Sequence, residues 1–228
     1  MIDNPPMLTV HRGWARPDPA LVEAFRGAQT SHVCDAMEGR GAVDWRIKPL
    51  DPGNGAFCGA ALPAWAYPAD IAAMFGALAE AQPGDVIMLA CDGFEATAVI
   101  GDLAAGMMRN KGVAAFVTDG LARDRAGIIA TGLPLFAKGI TPNSPALNGH
   151  GTVGAPIVLG GVHVSPGDIV VGDADGVVVV PQALARDVLE TLGRIRIAEA
   201  ALEAQVKGGL QITEKALAMM ANARIIKG

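Results

Sequence analysis

Residues 84–124 constrain the fold more than any other stretch of the chain. They contain two apolar runs, at 86–90 and 113–117, separated by a polar loop and by a helical segment that opens near Gly101 and ends at Gly112. Near-continuous apolar runs are typical of strands buried on both faces, and a helix between two such strands makes a right-handed parallel crossover. We therefore predict an α/β fold whose polar residues gather at the carboxyl ends of the strands, where open α/β sheets usually bind ligands.

Length and composition favour a single domain. The chain has 228 residues, of which 51% are hydrophobic, and no linker-like stretch divides it. A chain of this size can bury a large core. We predict an N-terminal arm at 1–17, one domain at 18–206 and a helical tail at 207–228. Apolar residues at helical spacing predict a long C-terminal helix from Pro181 to about Val206, where a Gly-Gly pair follows.

Capping signals and apolar spacing predict three further helices. Asp18 followed by Pro19 is the pattern of an N-cap with proline at the first helical position. Thr30 and Ser31 are predicted to cap a second, short helix. Residues 69–81 carry apolar side chains at helical spacing and end at a Gln-Pro-Gly turn, which predicts a third helix.

Turn residues separate several short predicted strands. Residues 47–65 alternate apolar segments with Pro and Gly, as short strands joined by turns do. Residues 156–181 are predicted to form a β-meander, because each apolar run is followed by Gly, Pro or Asp. The hexapeptide PGDVIM at 83–88 is echoed by PGDIVV at 166–171, an echo too short to indicate a repeat architecture.

Charge and cysteine content argue against several classes of protein. The formal net charge is −5 with a pI near 5.3, and the 18 basic residues are scattered, whereas nucleic-acid binding needs clustered Lys and Arg. Cys34, Cys58 and Cys91 lack metal-type or redox-type spacing and indicate reduced, mostly buried thiols. No apolar run reaches about 18 residues and the N-terminus lacks a secretion-signal pattern, so we expect a soluble, cytoplasmic protein without a membrane partner.

The common cofactor and nucleophile motifs are missing. The sequence contains no G-x-G-x-x-G, no P-loop lysine and no G-x-S-x-G elbow. Its histidines lie far apart without paired-ligand spacing, and single histidines are more often structural than metal-binding. These residues are His11, His32, His150 and His163. Zinc-hydrolase and serine-hydrolase functions are therefore disfavoured.

What remains is a constellation of Gly101, Asp102, Leu103, Arg123 and Asp124, with Asp92 and Asp119 nearby in sequence. A helix opening at Gly101 would direct free N–H groups at an anion. Arg123 could bind a carboxylate in bidentate fashion, and Asp124 offers a hard oxygen ligand for Mg²⁺ or Mn²⁺. Together these groups would suit a small keto acid. Spacing alone leaves open the alternative that Arg123 and Asp124 form a loop ion pair and Asp102 only favours the helix N-terminus.

The segment GDLAAGMMRNKGVAAFVTDGLARD, together with TSHVCDAM upstream and PGDIVVGDADGVVVVP downstream, resembles the RraA-like family. The resemblance runs roughly from Val22 to Glu199. That family contains class II pyruvate aldolases acting on 4-hydroxy-4-methyl-2-oxoglutarate and 4-carboxy-4-hydroxy-2-oxoadipate, and also the regulator of ribonuclease E activity. The family's aldolases carry an Asp followed at a fixed interval by Arg-Asp, and Asp102 and Arg123-Asp124 stand at that spacing.

The resemblance implies a role for each residue of the constellation. Asp124 would coordinate a divalent cation, Mg²⁺ or Mn²⁺, and Arg123 would contact the 2-oxo acid substrate. The amides around Gly101 and Leu103 would hold the substrate carboxylate, and Asp102 would orient a water on the metal. The implied activity is metal-dependent carbon–carbon cleavage that releases pyruvate, with oxaloacetate decarboxylation as a second reaction of the same site.

The family also implies a swivelling β/β/α-type single domain that assembles as a homotrimer or homohexamer. The site would lie at a subunit interface, to which Glu199 of a neighbouring copy could contribute. The alternative that the family offers is a non-catalytic regulator that binds a ribonuclease E-like partner.

Two positions depart from the family's aldolase pattern. An acid is expected two residues after Arg125, but Gly127 stands there, and a lysine of the family has no match in the loop TPNSPALNGHG at 141–151. Loss of a carboxylate outside the metal's direct ligands typically weakens metal binding about 10-fold to 100-fold. We therefore expect the metal site to be weakened and the substrate preference to differ from that of the family's known aldolases.

Overall fold

The structure is a computed structural model that describes residues 5–226, and it has a mixed α/β architecture. The helices are α1 (Pro19–Phe25), α2 (Thr30–Ala36), α3 (Ala72–Glu80), α4 (Asp102–Asn110), α5 (Arg125–Thr131), α6 (Ala185–Lys207) and α7 (Glu214–Met220). The strands are β1 (Thr9–Val10), β2 (Lys48–Pro49), β3 (Phe57–Ala66), β4 (Asp85–Ala90), β5 (Ala98–Ile100), β6 (Ala115–Thr118), β7 (Leu121–Ala122), β8 (Leu135–Ala137), β9 (Gly139–Ile140), β10 (Gly151–Val153), β11 (Ile157–Leu159), β12 (Val162–Val164), β13 (Ile169–Asp173) and β14 (Gly176–Val180).

The predicted crossover forms the centre of the molecule. Strands β4 and β6 are parallel neighbours, with Val86 opposite Ala115 and Leu89 opposite Thr118. Every residue of both strands is buried, which explains their continuous apolar runs. The structure also contains a small sheet that the sequence did not predict. Strand β5 precedes α4 and pairs with β7, and β7 pairs with β9.

Strand β3 holds the large sheet together. The strand order is β1-β10-β3-β4-β6-β8-β2, and the hairpin β13–β14 joins the sheet through β3. The first half of β3 is antiparallel to β13 and its last three residues are antiparallel to β10, while its other edge is parallel to β4. A single ten-residue strand thereby connects the crossover to the C-terminal third of the chain.

Alternate residues of the central strands face two different layers, as the twofold period of a strand requires. Ile87 and Leu89 pack against α3, α4 and α5 on one face of the sheet. Val86 and Met88 pack on the other face against β11 and β12. Helices α1, α2 and α6 cover the β13–β14 hairpin in a third cluster. The candidate site is built on the layer that contains α3, α4 and α5.

The cap at Asp18 is confirmed, because its carboxylate accepts the N–H of Ala20 at 2.9 Å and α1 opens with a proline. The cap predicted at Thr30 and Ser31 is wrong. Helix α2 starts at Thr30 itself, whose N–H and hydroxyl both donate to the carboxylate of Asp173, at 2.8 and 2.7 Å. A partner from a distant strand replaces the local cap here.

The meander predicted at 156–181 is also wrong, since the segment forms two hairpins that belong to different sheets. Strands β11 and β12 pair only with each other, whereas β13 and β14 extend the large sheet. The long C-terminal helix is confirmed, although a short 3-10 turn precedes α6. In the described residues no helix combines the length and apolarity needed to cross a membrane.

The echoed PGD sequences form the same turn twice. In each turn the Asp N–H donates at 3.1 Å to the carbonyl three residues earlier, from Asp85 to Gln82 and from Asp168 to Ser165. The Asp carboxylate then accepts the N–H of that earlier residue at 2.8 Å. The intervening glycines have φ near +87° and +86°, as a Pro-Gly type II turn requires. Both turns flank β3.

The N-terminal segment lies on the body of its own chain. Strand β1 pairs with β10 in parallel, Arg12 forms an ion pair with Glu80, and Arg16 forms one with the buried Asp85. Residues 1–4 of the predicted arm and 227–228 of the predicted tail lie outside the described residues. The boundaries of arm, domain and tail stay a prediction.

Candidate functional site

The N-terminus of α4 forms one wall of the candidate site. Gly101 is the N-cap, and the first intrahelical bond runs from the N–H of Ala105 to the carbonyl of Gly101. The N–H groups of Asp102, Leu103 and Ala104 consequently have no partner within the helix. The Leu103 amide donates to the Asp102 carboxylate at 2.7 Å, so this predicted anion donor is engaged by its own neighbour.

Arg123 and Asp124 reach the same place from the end of β7. The N–H of Arg123 donates to the carbonyl of Ile100 at 3.0 Å, which fixes the loop beside the N-terminus of α4. Asp124 adopts the left-handed conformation, with φ 56° and ψ 41°, and its side chain does not cap α5. Such a backbone is uncommon for a residue other than glycine and costs of order 1 kcal/mol or more. The unusual backbone directs the Asp124 carboxylate towards Gly101.

Arg123 and Asp124 form the loop ion pair that spacing alone had left open as an alternative to a binding site. The Nε atom of Arg123 lies 3.2 Å from an Asp124 carboxylate oxygen, and 38% and 45% of the two side chains are exposed. Pairs with that much exposure contribute little to stability, typically below about 1 kcal/mol. The pair therefore does not account for the strained backbone of Asp124 by itself.

Position 101 accommodates only glycine, because the neighbouring side chains leave no room for a Cβ atom. Its φ of −132° is one that any residue adopts, so the constraint is space and not backbone conformation. A Cβ atom at this position would lie 2.7 Å from a carboxylate oxygen of Asp124 and 3.1 Å from Nε of Arg123. The side chains of Asp124 and Arg123 thus pack directly on the backbone of the helix N-cap.

Gly127 leaves room for the side chain of Asp102 in the same way. A Cβ atom at Gly127 would lie 2.5 Å from a carboxylate oxygen of Asp102 and 2.6 Å from its Cβ. The first turns of α4 and α5 abut here, and Asp102 occupies the space that a side chain at 127 would need. The glycine that departs from the family's aldolase pattern therefore faces Asp102 directly.

All five predicted site residues line one cavity of about 440 Å³. They are Gly101, Asp102, Leu103, Arg123 and Asp124. The cavity also contains Ser144, whose hydroxyl accepts a hydrogen bond from Nη1 of Arg123 and which the sequence did not predict. Its remaining wall is apolar and includes Ile71, Met74, Phe75, Met107 and Pro145. The structure thus brings together the residues whose roles rested on spacing and resemblance.

Asp92 and Asp119 do not line this cavity. Asp119 is buried and accepts the N–H groups of Cys91 and Gly93, at 2.8 and 3.1 Å. Burial raises the pKa of Asp119, and burial together with that carboxylate raises the pKa of the Cys91 thiol to about 12. Asp92 accepts a hydrogen bond from the Trp65 indole at 3.1 Å. Both aspartates organise the loop after β4.

Glu199 lies apart from the cavity as well. It projects from α6 into a separate depression that also contains His32 and Arg196. A contribution of Glu199 to the site of a neighbouring subunit stays a prediction.

The donor set fits a hard divalent cation. Across residues 5–226, no group of three or more His, Cys, Asp or Glu side chains is arranged to hold a metal by itself. Mg²⁺ and Mn²⁺ typically keep several waters and take only one or two protein carboxylates. Asp124 offers one half-exposed carboxylate to the cavity, with Asp102 in the same wall. Asp124 is therefore the residue that would hold such an ion.

The sequence matches the family model described as RraA-like: Aldolase/RraA over residues 30–179. This match spans more than half of the chain, and the protein belongs to the RraA-like family. It is 37% identical over 170 residues to a protein of Halalkalibacterium halodurans whose provisional name is 4-hydroxy-4-methyl-2-oxoglutarate aldolase. The alignment covers 75% of this chain and 80% of that relative.

Solved structures share the fold. An uncharacterized protein from Pseudomonas syringae pv. tomato has a TM-score of 0.77 at 25% identity, covering 87% of this chain and 97% of that one. RraAS2 of Streptomyces coelicolor, described as an unusual member of the RNase ES inhibitor RraA protein family, has a TM-score of 0.75 at 29% identity, covering 83% and 100%. The predicted RraA-like α/β fold is thereby confirmed.

Proposed function

We propose that the protein is a divalent-metal-dependent pyruvate lyase that cleaves a 4-hydroxy-2-oxo acid and also decarboxylates oxaloacetate. One observation carries the proposal: an arginine, two aspartates and a helix N-terminus from separate segments converge on one cavity. The relative from H. halodurans supports the same class of reaction, since its provisional name is that of an aldolase.

The polar end of the cavity suits the headgroup of a 2-oxo acid. Arg123 is held in position by Asp124 and Ser144, so its guanidinium is preorganised for a carboxylate. The first turn of α4 adds N–H groups and a positive helix end to the same wall. These donors can bind the carboxylate beside the keto oxygen of the substrate.

Both reactions proceed through the enolate of pyruvate. In the aldol cleavage the C3–C4 bond breaks, the C4 hydroxyl loses its proton, and the electron pair remains on the pyruvyl fragment until C3 is protonated. Decarboxylation of oxaloacetate releases CO₂ and leaves the same enolate. Asp124 would hold a divalent ion, which would supply Lewis acidity for the charge that develops on the enolate. Arg123 offsets the charge that develops beside it, and Asp102 is proposed to orient the water that takes the hydroxyl proton.

The test is pyruvate release from oxaloacetate and from 4-hydroxy-4-methyl-2-oxoglutarate, with Mg²⁺ or Mn²⁺ and then with a chelator. We expect chelator-sensitive release by the native chain and its loss in Asp124→Asn. Asp92→Asn is the matched control, because Asp92 also has a positive φ, of 54°, but lies outside the cavity. Full activity of Asp124→Asn, or equal loss in both variants, would contradict the assignment of Asp124.

The second candidate is a non-catalytic regulator that binds a ribonuclease E-like partner. The glycine at 127 favours it, because an acid of the aldolase pattern is missing there, and so does the description of the S. coelicolor relative. A regulator needs no ligand in the cavity. Stabilisation by oxalate that depends on Mg²⁺ separates the two candidates, since a ligand of the folded state raises the melting temperature. The lyase predicts this shift and the regulator predicts none.

A homotrimer or homohexamer is also part of the proposal. Helix α6 buries apolar side chains only in its first third, at Ala185, Val188 and Leu192. Beyond that point Ile197 and Val206 are largely exposed on the helix. A second copy could cover them. Light scattering over a range of concentrations measures the assembly, and a monomer throughout would refute it.

A further inference from the structure

Ser144 reaches Arg123 from the loop at 141–150, which joins β9 to β10. Nη1 of Arg123 donates to the Ser144 hydroxyl while Nε lies 3.2 Å from Asp124, and neither contact engages Nη2. Ser144 itself is exposed. Exposed loops without regular structure are usually mobile. The hydroxyl can therefore orient the guanidinium only if the backbone of the loop is held elsewhere.

Backbone hydrogen bonds hold the loop on both sides of Ser144. Before it, the carbonyl of Asn143 accepts the N–H of Ala98, the first residue of β5, at 3.0 Å. After it, the N–H of Ala146 donates to the carbonyl of Ala69 at 2.7 Å. The loop is thus attached to β5 on one side and to the segment that precedes α3 on the other.

Asp70 is the buried side chain that completes the second attachment. It is 3% exposed. One carboxylate oxygen accepts the N–H of Ala72 in the first turn of α3 at 2.7 Å, and the other accepts the N–H groups of Asn148 and Gly149 at 2.6 and 3.0 Å. All of these contacts are made within one chain. A neighbouring copy that completes the cavity would therefore neither supply nor replace them.

We propose that Asp70 is a positioning residue of the site, which holds the 141–150 loop so that Ser144 keeps Arg123 directed into the cavity. This inference rests on the proposed lyase function for the reaction, and on the contacts within the chain for the positioning. Asp70 does not line the cavity, so it acts through the loop. Functional side chains need neighbours that lock their geometry, and a misplacement of about 1 Å can cost about 100-fold in rate.

The first experiment is a double-mutant cycle on pyruvate release. Asp70→Ala removes the acceptor of the loop, and Ser144→Ala removes the acceptor of Arg123. We expect each substitution to lower kcat/KM about 10-fold, and the double variant to show the same loss, because both act through one contact. A loss near about 100-fold in the double variant would show independent effects and overturn the proposal.

Two controls separate positioning from general effects of the substitutions. Ser144→Thr keeps the hydroxyl and should retain native kinetics, and a loss equal to that of Ser144→Ala would contradict the proposal. Asp168 is buried like Asp70 and accepts the N–H groups of Ser165 and Gln182 at 2.8 and 2.9 Å, outside the cavity. Asp168→Ala should lower the melting temperature but leave kcat/KM unchanged. An equal loss of kcat/KM in the two aspartate variants would overturn the proposal.

A further variant loosens the loop without touching the buried carboxylate. Ala146→Pro removes the N–H that donates to Ala69, and its position is exposed, so this variant should fold even if Asp70→Ala does not. It should also lower kcat/KM about 10-fold, again without adding to the loss in Ser144→Ala. Native kinetics in Ala146→Pro would contradict a role for the loop attachment.

Failure of the lyase function remains distinguishable from failure of this inference. The Nε–H NMR signal of Arg123, identified by its absence in Arg123→Lys, reports the mobility of the guanidinium group without any substrate. We expect its order parameter to fall in Asp70→Ala, Ala146→Pro and Ser144→Ala and to stay native in Asp168→Ala. That result without pyruvate release from any substrate refutes the lyase and supports the positioning. An unchanged order parameter in Asp70→Ala or Ala146→Pro overturns the positioning whether or not the protein is a lyase.

Discussion

Replacement of Gly101 by alanine should disable the candidate site while the protein stays folded. The added Cβ would lie 2.7 Å from a carboxylate oxygen of Asp124, whereas ordinary contact begins near 3.4 Å, so the carboxylate must retreat by about 0.7 Å. The same methyl group also crowds Nε of Arg123, at 3.1 Å. One substitution therefore displaces both the proposed metal ligand and the proposed headgroup cation.

The size of the effect follows from that displacement. Misplacement of a reacting group by about 1 Å can cost about 100-fold in rate. We expect kcat/KM for pyruvate release to fall by about 30-fold to 100-fold, which corresponds to about 2 to 2.7 kcal/mol of transition-state stabilisation. The free energy of unfolding should fall by only about 1 to 3 kcal/mol, as it does in other overpacked sites. Steady-state kinetics and urea unfolding of one preparation measure both quantities.

Gly106 provides the control within the same helix. A Cβ atom there would meet nothing nearer than a Thr131 methyl group at 3.9 Å. Gly106→Ala should leave kcat/KM unchanged and stabilise α4 by about 0.5 to 1 kcal/mol, because alanine is the better helix former. If Gly101→Ala retained native kinetics, the close packing of Asp124 and Arg123 on the helix N-cap would not matter for function, and the reasoning would be refuted.

Three further outcomes are expected. Gly127→Asp should lower kcat/KM at least about 10-fold, because the new side chain displaces the carboxylate of Asp102, which packs on this glycine. A gain in pyruvate release would contradict this expectation. The Arg46 guanidinium lowers the pKa of Asp44 to about 2 from its ordinary value of 3.8. The Asp44 carboxylate therefore stabilises the folded state fully at pH values above its ordinary pKa, and this contribution is lost as the pH falls towards 2. The acid unfolding curves of the native and Asp44→Asn proteins should accordingly converge near that pH. Burial raises the pKa of Cys58 to about 11 and that of Cys91 to about 12. At about pH 8 a thiol reagent should accordingly label one cysteine rapidly in the native protein and all three after denaturation, and rapid labelling of all three without denaturant would be the contrary result.

The crossover could be predicted because its signals are local and strong. Strand β4 and strand β6 are buried on every residue, and a glycine ends the helix between them. Strands β5, β7 and β9 have only two or three residues each, which is too short for a period-two pattern to be read. The sequence therefore predicted the two central strands of the large sheet and missed the small sheet that presents Gly101 and Arg123.

Predictions failed where a distant residue supplied the decisive contact. Thr30 looked like a helix cap, but its partner Asp173 is 143 positions away. Ser144 lies in a loop without periodicity, and its contact with Arg123 exists only in the folded chain. The polar half of the site could be predicted because its residues keep a family spacing, whereas the apolar wall from α3 reads as ordinary core in the sequence.

The two PGD turns have a consequence for how the large sheet is put together. Each turn is closed by hydrogen bonds within four successive residues, so it can form with little loop-closure entropy, before any distant strand is in place. Ala60 of β3 lies opposite Asp85 on one side and opposite Ile169, the residue after the second turn, on the other. The same short turn sequence, present twice in the chain, thus helps to fix the register of β3, the longest strand, from both of its edges.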